Sequence, residues 1–307
     1  MTDSNHVKTS KIAKILTVLA LIAVVSVLAG CGSDDDSTDT KSSGDSASIT
    51  GTFNQEAADK VPAAIKDAGT LTVAMDASYA PNEFFDEDGK TIIGTDADLA
   101  DAIGTVLGLD VEKKNATFDS IIPGLAAGKF DIALSSFTDT KEREETVDMV
   151  TYLTAGTGFY TNAEKPTDVT GVEDLCGKTV AVQKGTVQQE DVEAQTKECD
   201  EPIDIKVFTQ QTDVDLAISS GRAEVALADS PVAAYAVKQS DGTLKSTGKD
   251  YDSAPYGIAI NKKTELTPAI QAAVQTLIDD GTYTAILKKW GLESGAITES
   301  KINDGVE

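Results

Sequence analysis

Apolar residues along this chain occur in two rhythms. Short alternating or continuous runs predict strands, and stretches with an apolar residue every third or fourth position predict helices. The first strand is "TLTVAM", Thr70–Met75, entered from a short helix over 63–67 that Gly69 ends. "FFDEDGKTII" predicts a hairpin turning at Asp88-Gly89. Over 96–107 a helix is predicted, with Leu99, Ile103 and Leu107 on one stripe and aspartates near its start, where the macrodipole favours them. A strand over 111–114, a helix over 120–127 and the apolar run 132–134 follow.

Past Tyr160 the rhythm restarts. "KTVAV" predicts a strand, 187–197 a helix, "IDIKVF" a strand, 213–220 a helix and "EVALA" a strand, after which Ser230 caps a helix reaching about Gln239. "YGIAI" predicts one more strand. A helix with Leu266, Ile270, Val274, Leu277 and Ile278 on one face comes next, then an amphipathic piece ending in "ILKKWG". Two successive alternating units predict an α/β fold of two lobes, each built on a mainly parallel sheet flanked by helices.

The first thirty residues stand apart. Lys8, Lys11 and Lys14 precede an apolar stretch over 15–28 that is short for a bilayer span, and Leu28-Ala29-Gly30 supplies small residues before Cys31. That order predicts a secretory signal over 1–30. Leu-Ala-Gly-Cys also resembles a bacterial lipobox, which implies diacylation of Cys31 and anchoring by lipid alone. Residues 31–54 are expected to form a flexible acidic tether, because 32–50 holds only Ala47 and Ile49 as apolar residues.

Charge and residue usage then remove whole classes of function. The formal charge of −25 becomes −27 once Lys8, Lys11, Lys14 and Asp3 leave with the signal, and such a surface repels nucleic acid. The single histidine, His6, leaves too, which removes Ser-His-Asp and Cys-His catalysis and any His-ligated metal. No metal or cofactor is expected. Cys176 and Cys199 are the two thiols left besides Cys31; outside the cytoplasm they are expected to pair, since a redox or metal role would need CxxC spacing or partner ligands. The acidic run Asp86-Glu87-Asp88-Gly89 lacks the remaining spacing of a calcium loop and reads as a turn.

Six blocks in order carry a resemblance: "DASYAPNEF", "DGKTIIGTDADLADAIG", "FDSIIPGLAAGKFDIALSSFTDTKER", "GKTVAVQKGTVQ", "GRAEVALADSPVA" and "DDGTYTAILKKWG". From about Gly69 to Leu292 the chain resembles the bacterial family 3 solute-binding proteins, the polar-amino-acid receptors of ABC importers. Thr95 and Ala97 depart from the family at positions that affect packing, and Gln183 and Ala228 occupy positions that vary with ligand. The resemblance implies a two-lobed periplasmic-binding-protein fold (type II) joined by two hinge strands. Lobe 1 would comprise 55–163 plus 255–307 and lobe 2 164–254. It further implies an extracytoplasmic, monomeric receptor that takes a free amino acid and passes it to ABC permease subunits.

By the same resemblance, Arg143, Thr138 and Thr186 are expected around the ligand's carboxylate, whose planar shape a guanidinium fork matches. Ser135, Ser136 and Asp229 are expected around its ammonium group. Tyr79 and Phe118 would wall the side chain, Asp76 would meet its distal group, with Glu83 adding negative field, and Gln183 and Gln188 would contact the ligand. A carboxylate at Asp76 favours arginine, lysine or glutamine over an acidic ligand. Read without the family, Asp229 is a helix-capping residue and Arg143 belongs to a solvated helix start. Two rivals use the same fold: a dehydratase with Glu83 or Asp76 as acid or base, and a sensor lipoprotein that binds without delivering.

Overall fold

The computed structural model describes residues 49–306, so the expected signal, Cys31 and most of the expected tether lie outside the described residues. Ile49 packs against the core, and the Asn54 N–H donates to the Val106 carbonyl at 2.9 Å. The chain then runs α1 (Gln55–Asp59), α2 (Ala63–Ala68), β1 (Thr70–Met75), β2 (Ser78–Tyr79), β3 (Glu83–Phe85), β4 (Ile92–Ile93), α3 (Thr95–Leu107), β5 (Asp110–Asn115), α4 (Phe118–Ala126), β6 (Ile132–Ala133) and α5 (Lys141–Thr146). The long strand β7 (Val147–Asn162) leads into β8 (Thr179–Gln183), α6 (Val187–Gln195), β9 (Asp204–Phe208), α7 (Gln211–Ser219), β10 (Val225–Asp229) and α8 (Ser230–Gln239). A second long strand, β11 (Leu244–Asn261), precedes α9 (Thr267–Asp280) and α10 (Thr282–Trp290).

One eight-stranded sheet carries the fold, in the order β5-β1-β6-β11-β7-β10-β8-β9. At either end lies a parallel trio: β1 pairs with β5 and β6, and β8 pairs with β9 and β10. The antiparallel pair β7 and β11 joins them. Its register shifts between Thr247 and Tyr251, between Tyr251 and Ala254, and between Tyr256 and Gly257, at the passage from one end to the other. Such shifts bend and twist a ribbon locally. The sheet is thus continuous through two long strands, of which the apolar rhythm marked only 256–260. Polar and small residues at Thr154, Gly156 and Thr157 interrupt the strand pattern of β7 where it leaves a core.

Strand alternation distributes the cores. Leu71, Val73 and Met75 enter one cluster with Leu99, Ile103 and Leu107, while Ala74 turns to another with Ile121, Leu125 and Phe137. At the far end Val180, Val182 and Leu227 pack on one face and Ala181, Ala226 and Ala228 on the other. Two helix ends follow the expected chemistry: Gly69 and Gly108 take left-handed φ values of 68° and 69°. The expected cap of α8 is corrected by one residue. Asp229 occupies the N-cap position, and Ser230 is the first helical residue, followed by Pro231.

The hairpin also forms as expected. Asp88 accepts from the N–H groups of Lys90 (2.7 Å) and Thr91 (2.8 Å), an Asx turn that needs no calcium. Cys176 and Cys199 are bridged across a sequence separation of 23 residues. Among the described residues no helix is long and apolar enough to cross a membrane.

Candidate functional site

The exits of β6, β8 and β10 converge with β2 and the start of α4 around one small, tightly closed space. Tyr79, Phe118, Ser136, Thr138, Arg143, Gln183, Thr186, Val187, Gln188 and Asp229 line it. Of the residues expected from the sequence, Asp76 and Ser135 are not among the lining.

Arg143 sits on α5, a single turn capped by Thr140, whose hydroxyl accepts from the Arg143 N–H at 3.3 Å. Its guanidinium lies 5.6 Å from the Phe118 ring centroid and 5.4 Å from that of Phe137. Those two rings stack at 4.4 Å. Nη1 donates to the Thr138 carbonyl at 2.8 Å and Nη2 to the Gly185 carbonyl at 3.1 Å. The cation is therefore held on an aromatic floor by main-chain acceptors, with further N–H directions left for a ligand. Desolvation pulls its pKa below the ordinary value, and Glu190 and Asp229 oppose this; the group stays charged. Gly185 lies in the left-handed region at φ 80°, and a side chain there would press on Asp119 at 3.1 Å.

Beside Arg143 stands the N-terminus of α6, where the N–H groups of Val187 and Gln188 precede the first helical hydrogen bond, that of Gln189 to the Thr186 carbonyl at 3.1 Å. Thr186 caps it, accepting from the Gln189 N–H at 3.2 Å and donating its hydroxyl to the Gln183 carbonyl at 2.8 Å. The hydroxyl is spent inside the loop, so what this turn can offer an anion is main-chain N–H.

Asp229 is 5% exposed, and its side chain makes no capping bond to α8. Instead Oδ1 accepts from Gln188 Nε2 at 2.8 Å, and its own N–H donates to the Tyr79 hydroxyl oxygen at 3.1 Å. Burial pushes its carboxyl up, and Tyr256, Tyr79, Gln188 and Arg143 pull it back. The Tyr256 hydroxyl is buried with no hydrogen-bond partner among the described residues.

Gln183 and Gln188 share one property. Gln183 Nε2 donates to Asp76 Oδ2 at 2.8 Å and to the Thr209 carbonyl at 3.2 Å; Gln188 Nε2 donates to Thr157 Oγ1 at 2.9 Å and to Asp229. With both protons of each amide engaged, the carbonyl oxygen is what each has left to present, and it only accepts.

Asp76 is 2% exposed and saturated by Ser78, the Phe118 N–H and Gln183, so it reaches the cavity through Gln183 and Phe118. Ser135 is fully buried, accepting from the Asp76 N–H at 2.9 Å and donating to Glu83 at 2.8 Å. Ser136 does line the space. It adopts a left-handed φ of 52°, unusual without glycine, fixed by its N–H on Asp96 (3.0 Å) and by Asn82 on its hydroxyl (2.8 Å). Under it, burial and the neighbouring Asp96 carboxylate push Glu83 well above its ordinary range, while burial pushes Asp96 to about 6. Burial and Asp96 thus work against the ionised form of Glu83 from which a negative field was expected.

Sequence reasoning missed Phe137, Gly185, Val187 and Tyr256. A glycine between a strand and a helix was a legible sign for Gly185; the others read as core.

A second hollow adjoins the first, sharing Thr138, Val187, Gln188 and Asp229, and is also lined by Glu142, Glu190, Asp191 and Asp252, with no cationic residue in its wall. The hollow beside the site is thus acidic.

The arginine-binding protein ArgT of Corynebacterium glutamicum is 39% identical over 80% of this chain and 81% of its own length. A solved ancestral arginine-binding protein bound to arginine superposes with a TM-score of 0.69 at 36% identity, covering 72% of this chain and 98% of its own. An ancestral amino acid-binding protein, described as a precursor of cyclohexadienyl dehydratase, gives 0.67 at 35%, covering 74% and 97%. Residues 71–293, which include every lining residue, match one family, and the chain belongs to the bacterial extracellular solute-binding proteins, family 3, with their two-lobed type II fold.

Proposed function

We propose that this protein is a lipid-anchored extracytoplasmic receptor that captures a basic or neutral polar amino acid, arginine foremost, and delivers it to an ABC permease. In this reading lobe 1 is 55–163 plus 255–307, lobe 2 is 164–254, and Cys31 carries the lipid. Arg143 and the first turn of α6 hold the ligand's carboxylate. Asp229 and Ser136 receive its ammonium.

The observation that carries this reading is the pairing of one guanidinium and one buried carboxylate on the wall of a single small space. A free amino acid brings the complementary pair of charges, and leaving either unmet in a closed site is costly. Selectivity rests on the acceptor-only faces of Gln183 and Gln188 and on the acidic hollow beside the site. All of these suit a side chain that donates, such as a guanidinium, ammonium or amide, and disfavour a carboxylate. Arg143 contacts residues on both sides of the cavity, Thr138 and Gly185, so a ligand engaging it gains contacts with both lobes and favours their closure.

The dehydratase alternative lacks its acid and base at the cavity wall: Glu83 is fully buried, Asp76 nearly so, and neither lines the space. A thermal-shift panel of the common amino acids, followed by calorimetry, tests the proposal. Arginine, lysine or glutamine should raise the melting point. Tight binding of glutamate with none of those three bound would overturn it.

A further inference from the structure

We propose that residues 300–306 form a strap whose role is to position Arg143. This rests on the reading that Arg143 grips the ligand's carboxylate. The segment lies beyond residues 71–293, which match the family.

Helix α5 is weakly supported from within. This helix has six residues and buries none of them, and one so short has little stability of its own. Yet it carries the guanidinium that must be held within a narrow geometry to be useful. Something outside α5 has to fix it.

The strap supplies that. At one end Ser300 is 2% exposed and bound to α9: its N–H donates to Gln275 Oε1 at 3.0 Å, and its carbonyl accepts from Gln271 Nε2 at 2.9 Å. The chain then runs along β7. The Thr151 N–H donates to the Lys301 carbonyl at 2.9 Å, and Met149 and Asn303 exchange two bonds of 2.8 Å. At the other end it closes on the Arg143 turn. The Asp304 N–H donates to Asp139 Oδ2 at 3.1 Å, the Gly305 N–H to Glu144 Oε1 at 2.8 Å, and the Val306 N–H to the Asp139 carbonyl at 3.0 Å. The Lys141 N–H returns a bond of 2.9 Å to the Val306 carbonyl. Bonds thus fall on both flanks of Arg143, at Asp139 and Lys141 before it and at Glu144 after it. A side chain at Gly305 would come within 2.6 Å of Glu144 Oε1 and 2.8 Å of Asp139 Oδ1, so the fit leaves no room for one.

The test compares the full chain with a truncation after Glu299, and Glu144→Ala with Glu144→Gln, since glutamine keeps an acceptor for the Gly305 N–H. Hydrogen exchange at residues 139–146 reads the strap without any ligand, and calorimetry with L-arginine reads its consequence. Truncation should remove protection over 139–146 while sparing β8–β10, and weaken arginine at least tenfold. Glu144→Ala should shift both readouts the same way, and Glu144→Gln should stay within about twofold of wild type. Unchanged protection in the truncated chain and in Glu144→Ala, or lost protection with unchanged affinity, would overturn the proposal. Should truncation unfold the chain, the Glu144 pair decides alone. A wild-type protein that binds no amino acid would refute the receptor reading, and exchange would still decide whether the strap holds α5.

Discussion

The side-chain amide of Gln183 donates to Asp76 at 2.8 Å, joining residues 107 positions apart across the cavity, β1's exit to β8's end. In the proposed receptor this bond makes a buried carboxylate an indirect selectivity element. It consumes a Gln183 proton and leaves that amide facing the ligand as an acceptor. Gln183→Ala removes both functions and strips Asp76 of one of its donors, a loss of about 1–3 kcal/mol. Calorimetry should show arginine affinity falling by about ten- to hundredfold. Unchanged affinity would remove Gln183 from the selectivity argument.

Arg143 allows a sharper comparison. Arg143→Ala leaves the ligand's carboxylate without its fork and should reduce affinity by about thirtyfold or more, since truncating one partner of a buried charge pair costs about 2–5 kcal/mol. Arg143→Lys keeps the charge but not the planar geometry or the stacking on Phe118 and Phe137, so it should recover only part of that loss. Full recovery by lysine would mean that charge alone matters.

The ion pair of Lys184 with Asp119, 2.8 Å apart, also links β8's exit to α4. Its lysine side chain is 57% exposed, and such pairs contribute about 0–1 kcal/mol. Lys184→Ala should therefore change arginine affinity by no more than about fivefold. A larger loss in titration would make this pair a closure latch in its own right.

Stability should depend on pH through the buried acids, Asp139 and Asp96 among them. Burial and the facing Glu144 carboxylate push Asp139 to about 7, with Lys141 opposing, and burial pushes Asp96 to about 6. Because both are raised above the ordinary value of 3.8, the folded state binds their protons more tightly than the unfolded state. Their contribution is full below about pH 4 and is lost as pH rises toward 6 and 7. Urea unfolding at pH 4.5 and pH 7.5 should show Asp139→Asn least stable relative to wild type at the lower pH, and gaining on it at the higher. A difference independent of pH would refute the assignment.

The bridge between Cys176 and Cys199 closes a loop at the edge of a core containing Leu175 and Val192. Restricting the unfolded chain over such a loop is worth about 3 kcal/mol. The Cys176→Ser, Cys199→Ser double variant should unfold at correspondingly lower urea concentration. Its arginine affinity should remain, because neither cysteine lines the cavity.

How much of this was legible beforehand can be followed residue by residue. The helix with Leu99, Ile103 and Leu107 and the strand "TLTVAM" were readable because burial there repeats with the period of the element itself. The pairing of Cys176 with Cys199 followed from having two thiols and one possible match. Family likeness brought together Arg143, Asp229, Tyr79 and the glutamines as candidates. Ser135 and Ser136 show the limit: adjacent hydroxyls, of which one lines the cavity and one is sealed between Asp76 and Glu83. That difference depends on a left-handed turn at Ser136, held by Asp96 and Asn82, 40 and 54 residues away.

The sequence by itself determined the alternating α/β rhythm, the charge and the kinship, since each is written in local spacing or residue type. Only the tertiary structure decided that Asp76 bonds Gln183 behind the cavity wall, that Asp229 turns from its helix toward Gln188, and that residues 304–306 bond to Asp139, Lys141 and Glu144 around Arg143. Those outcomes depend on which donor a buried group finds, and its donors come from elements far apart in the chain. Burial makes such a choice costly to leave unmade, and folding alone reveals which partner was taken.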